Sequence, residues 1–88
     1  MSAQTDIALK ARRVILALQA KAKGPEEEVP LDEYRAAAAD VRKMVGRMLA
    51  GRLDKDELDG IFSSRVESWG GGEEADSLKA LEAEMMAL

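Results

Sequence analysis

An apolar repeat between Pro30 and Arg52 constrains this chain more than any other feature. Tyr34, Ala37, Val41, Met44 and Met48 recur at spacings of three and four, which stacks them along one side of a helix. Leu31, Ala38, Val45 and Leu49 widen that seam into a face broad enough for a globular core. Arg35, Asp40, Arg42, Lys43 and Arg47 occupy the opposite side and require water or a charged partner. A helix divided in this way needs neighbours, and the segments on either side must supply them.

The 88 residues suffice for one domain, and a domain of this length buries only a modest core. Bulky anchors are few, with one Tyr, one Phe and one Trp. The remaining apolar residues are mostly Ala, Leu, Val and Met. Beside many Glu, Lys and Arg they favour helix, and no alternating run of β-branched residues predicts a strand. The expected fold is all-α. A core this small also favours a partner subunit, so an oligomer is expected.

Read in order, the chain predicts four helices, near 5–23, 31–51, 55–68 and 74–87. Thr5 or Asp6 is placed to cap the first, and Gly24-Pro25 stops it. Ile7, Ala11, Val14, Ile15, Leu18 and Ala22 form its main apolar face, while Leu9 and Leu16 fall in a narrower stripe on nearly the opposite side. Two stripes imply two neighbours, and the second is expected to be another subunit. Glu26, Glu27 and Glu28 make a solvated connector. Pro30, Asp32 and Glu33 suit the start of the second helix, and Gly46 permits close approach near its apolar edge.

Leu53-Asp54-Lys55-Asp56-Glu57-Leu58 carries the strongest local signal. Asp54 is placed to cap, Glu57 to reach back to its amide, and Leu53 and Leu58 to staple the entry. The third helix, with Phe62, Val66 and Trp69, should close the core over Met44 and Met48. Gly70-Gly71-Gly72 reads as a flexible linker. This divides the chain into a three-helix bundle over 1–69, a linker over 70–72, and an amphipathic interaction helix over 73–88. In that last helix Leu78, Leu81, Met85 and Leu88 repeat at three and four over too short a span to stand alone. It must dock on its own chain or on a partner.

Charge is unevenly spread. Through Gly24 the five bases Lys10, Arg12, Arg13, Lys21 and Lys23 face only Asp6, whereas from Gly70 onward five acids face only Lys79. Such ends attract one another within a chain, between subunits or toward outside partners.

Little in this sequence points to chemistry. Cysteine and histidine are both absent, which removes disulfides, thiolate metal sites, the commonest metal ligand and the usual general base. Asp54, Asp56, Asp59 and Gly60 suggest a calcium loop, but counted from Asp54 the sixth position is Asp59 and the twelfth Arg65, so the spacing fails. Ser63 and Ser64 have no histidine to activate them. No enzyme and no cofactor are expected. The apolar stretch Val14–Leu18 is too short to span a membrane and lacks a signal-peptide layout, so a cytoplasmic protein with no membrane partner is expected.

The leading expectation is therefore a non-enzymatic helical interaction module, a small adaptor, assembly factor or inhibitor. It would act on a protein partner or on itself through Leu9, Leu16, Leu78, Leu81, Met85 and Leu88. The alternative is a nucleic-acid-associated regulator or a packaging accessory of a phage or mobile element. There Arg12, Arg13, Lys23, Arg42, Lys43 and Arg47 would meet phosphate, or an acidic partner, and the acidic last helix a protein.

Overall fold

The computed structural model describes residues 2–88, which are helical throughout apart from turns and short connectors. Helix α1 spans Ala3–Ala22. It begins earlier than Thr5 because the N–H of Thr5 donates to Ser2 Oγ at 3.2 Å, which makes Ser2 the cap. Helix α2, Leu31–Leu49, runs back along α1: Arg35 near its start donates to the Ala22 carbonyl at 3.3 Å. The acidic connector between them is not merely solvated. Glu26 accepts the N–H of Leu31 at 3.2 Å and so caps α2, and Val29 is buried.

The third predicted helix is broken. Helix α3 covers only Lys55–Leu58, helix α4 covers Ile61–Val66, and a 3-10 turn follows over Glu67–Trp69. Gly60 separates α3 from α4 at φ 83°, a left-handed conformation that side chains resist. The expected capping box also forms differently. Asp54 accepts from the N–H of Asp56 at 2.9 Å, while Glu57 turns away to Lys43 and Arg47 on α2.

After a glycine turn at Gly70–Gly72, helix α5 spans Glu73–Met86 and packs in the same chain against α1 and α4. Leu78, Leu81 and Met85, expected on an intermolecular face, lie buried in the chain's own core. The reason is the small core: α1, α3 and α4 leave an apolar surface that a short amphipathic helix can cover. Truncating any one of these three to Ala would cost about 2–5 kcal/mol at a well-packed site.

Two devices fix α4. Glu82 of α5, only 9% exposed, accepts from the N–H of Phe62 at 2.7 Å, the N–H of Ser63 at 3.2 Å and the hydroxyl of Ser63 at 3.0 Å. A carboxylate from another helix thus caps α4, whose preceding Gly60 has no side chain to do so. On the other side Arg65 reaches Asp40 at 2.8 Å and Glu33 at 3.4 Å, joining α4 to α2. Above it Trp69 meets Tyr34 edge to face, ring centroids 5.1 Å apart, within a core that also buries Phe62, Met44 and Met48.

Candidate interaction surface

Helix α1 has both its neighbours, α2 and α5, within the chain, and they share one broad face. Ile7, Ala11 and Leu18 are buried there, with Val14 and Ile15 packed beside them. Its second stripe is left over. Leu9 is 47% exposed and Leu16 55% exposed. On α2, Leu49 is 60% exposed, although its spacing had placed it at the margin of the core face.

Leu16 and Leu49 belong to one feature. Between α1 and α2 runs a groove of about 390 Å³ whose floor is Ala8, Ala11, Ile15 and Val45. Leu16 and Leu49 contribute to its lining from the two helices, together with Arg12 and Arg42. Gly46 lies in the same groove, exposed and in the interior of α2, and a Cβ built on it meets nothing within 4 Å. Glycine there lowers helix stability by roughly 1 kcal/mol relative to Ala, with no contact inside the chain to require it. The sequence reading missed Leu49 and the groove, because the groove exists only once α2 is laid against α1. The leftover Leu9–Leu16 stripe was the available signal.

The other expected contact residues divide. Leu88 is 38% exposed and borders a shallow depression with Ile7, Lys10 and Glu84, remote from Leu16 in sequence. Leu9 lies two turns before Leu16 on the same side of α1 and does not line the groove.

Among the bases, Lys43 and Arg47 both pair with Glu57, Lys43 at 3.2 Å. Hydrogen bonds from Lys43 and Arg47, aided by their charges, hold the Glu57 carboxyl below the usual glutamate range. Lys10 of the basic first helix pairs with Glu84 of the acidic last one, so part of the charge asymmetry is met within the chain. Arg12, Arg13, Lys23 and Arg42 are exposed and pair with no carboxylate among the described residues.

A second depression, of about 370 Å³, lies where the α1–α2 connector meets α5 and brings Lys21, Glu27 and Glu74 beside Tyr34. Its charges are of both signs and none is buried. Ser63 donates to a carboxylate, formally a nucleophile and a base, but Glu82 is itself nearly buried and committed to the backbone of α4. Among the described residues no three acidic side chains converge as metal ligands, and no helix is long and apolar enough to cross a membrane. No family model, curated protein or solved structure matches the chain.

Proposed function

We propose that this protein is a non-enzymatic helical interaction module that binds a protein partner through the α1–α2 face, as a small adaptor, assembly factor or inhibitor would. One observation carries the reading. Leu16 and Leu49 stand 55% and 60% exposed over a carbon-lined groove although the chain has a complete core without them. Scattered exposed leucines are ordinary, but two that share a groove with an exposed helix-interior glycine form a surface suited to another helix. Leu78, Leu81 and Met85 are buried and take no part in this surface, and Leu9 extends the face along α1.

The test is selection of a displayed helical-peptide library on the immobilised full chain, counter-screened on the Leu16→Asp/Leu49→Asp variant. The reading expects amphipathic helices that bind the parent and lose the variant. Enrichment of peptides that bind both equally would contradict it.

A second reading has one observation in its favour. Arg12, Arg13 and Lys21 lie exposed along α1, and Lys23 at its C-cap, without carboxylate partners among the described residues, as a phosphate-binding helix requires. Against it, Lys43 and Arg47 are held by Glu57 and the chain carries a net charge of -4. Affinity for a duplex oligonucleotide that falls steeply with salt and survives Leu16→Asp/Leu49→Asp would favour this reading over the first.

A further inference from the structure

The walls of the α1–α2 groove carry charge of one sign. Arg12 comes from α1 and Arg42 from α2, both are exposed, and neither pairs with a carboxylate among the described residues. Three of the four acids of these two helices are elsewhere engaged. Asp32 pairs with Arg35, while Glu33 and Asp40 pair with Arg65, which leaves Asp6 alone near the start of α1. Between the two arginines the groove is floored with carbon, and Gly46 leaves open space above the α2 backbone.

We infer that the groove receives one amphipathic helix of a different protein, with its apolar stripe between Leu16 and Leu49 and Asp or Glu on its flanks opposite Arg12 and Arg42. This rests on the interaction reading above and names the partner's chemistry. Three features select that occupant. The missing side chain at Gly46 suits the close approach of a regular backbone rod. The lining from Ala8 to Leu16 extends roughly 12 Å along α1, enough for anchors at i, i+3 or i+4, and i+7 of a docked helix. The uncompensated guanidinium groups then set the charge of its flanks.

A second copy of this chain is the weaker occupant. A two-fold contact through this face sets the same patch against itself, so Arg12 and Arg42 would meet another Arg12 and Arg42. With three of the four acids on α1 and α2 already paired, little on those helices offsets the repulsion.

The experiment uses three fluorescein-labelled helical peptides that share one Leu/Ile stripe and carry Glu, Gln or Lys on the flanks. Each is titrated with the full chain and followed by anisotropy, at low salt and at high salt. The Glu peptide should bind roughly three- to thirty-fold tighter than the Lys peptide, with Gln between, as two exposed ion pairs allow. High salt should narrow the gap. Arg12→Glu/Arg42→Glu, checked for folding by circular dichroism, should invert the order. Should that variant not fold, Arg12→Gln/Arg42→Gln should erase the preference instead.

Equal affinity for all three peptides, at the groove, would overturn the acidic partner and leave the interaction reading standing. Absence of binding by any of them would sink both. A dimer seen by light scattering and abolished by Leu16→Asp would put a second copy in the groove and overturn the inference.

Discussion

Glu82 offers the sharpest test of how the fold holds together. Its carboxylate accepts from two backbone N–H groups of α4 and from the Ser63 hydroxyl, and Phe62, the first of those donors, is buried. Glu82→Gln keeps the shape and leaves an amide oxygen to accept, but removes the charge. Hydrogen bonds to charged groups contribute about 1.5–3 kcal/mol against 0.5–1.5 for neutral ones, a loss of about 1 kcal/mol or more per bond, and the lower cost of burying a neutral amide offsets part of that sum, leaving about 1–3 kcal/mol in total. Glu82→Ala removes the acceptor altogether and leaves at least one buried donor unsatisfied, at about 1–3 kcal/mol per group. Together with the lost packing of the side-chain stem, the Ala variant should be destabilised by about 2–5 kcal/mol.

That is a large share of the roughly 4–13 kcal/mol expected of a domain of this length. Urea unfolding measures it, with Trp69 as a local reporter because the single tryptophan is buried on the turn that follows α4. Stability should fall in the order parent, Gln, Ala, and exchange of the Phe62 amide should accelerate in the same order. An Ala variant within about 0.5 kcal/mol of the parent, the spread of ordinary surface changes, would refute the capping role. Unchanged protection of the Phe62 amide would do the same.

Three further outcomes are expected. Leu81→Ala should lower stability by about 2–5 kcal/mol, whereas Leu16→Asp should lower it by only about 1–2 kcal/mol, because Leu81 is fully buried and Leu16 half exposed; thermal or urea melts of the two variants side by side check this. Gly46→Ala should raise stability by up to about 1 kcal/mol in the same melts, since the added methyl meets no neighbour and the helix interior favours Ala. The stability supplied by Glu57 should be present above the ordinary glutamate range and disappear as pH falls below it, because hydrogen bonds from Lys43 and Arg47 depress its pKa only in the folded chain. Urea midpoints measured across that acid range should therefore fall less steeply for Glu57→Gln than for the parent.

Much of the architecture was legible in the residues, because helix periodicity is a local property. The seam of Tyr34, Val41, Met44 and Met48 placed α2 correctly, and each of these residues is buried or half-buried as its spacing required. Ser2, three residues before Thr5, was a readable cap that Thr5 and Asp6 obscured. The break at Gly60 was harder, because Leu58, Ile61, Phe62 and Val66 continue one apolar face across it and mask the turn signal of Asp59-Gly60, and because the carboxylate that caps the helix beyond it, Glu82, lies far along the chain. No local pattern announces such a contact.

The candidate surface shows the same division. The repeat of Leu78, Leu81 and Met85 says that α5 must bury a face, yet an apolar stripe looks alike whether its own chain or another covers it. Leu16 is legible as surplus because α1 has more apolar positions than one face can use. Leu49 is not, because it continues the α2 pattern and is exposed only by the way α1 crosses beside it. Arg12, Arg42 and Gly46 gain meaning only from sharing that groove.

Docking of a partner helix on the face between α1 and α2 would be seen in an amide chemical-shift map. The full chain, labelled with ¹⁵N, is titrated with the Glu-flanked amphipathic peptide. Shifts should cluster at Ala8–Leu16 and Arg42–Leu49 and be lost in Leu16→Asp/Leu49→Asp, with the amides of α5 undisturbed. Shifts centred on α5, or none at any peptide concentration that keeps the peptide monomeric, would contradict such docking.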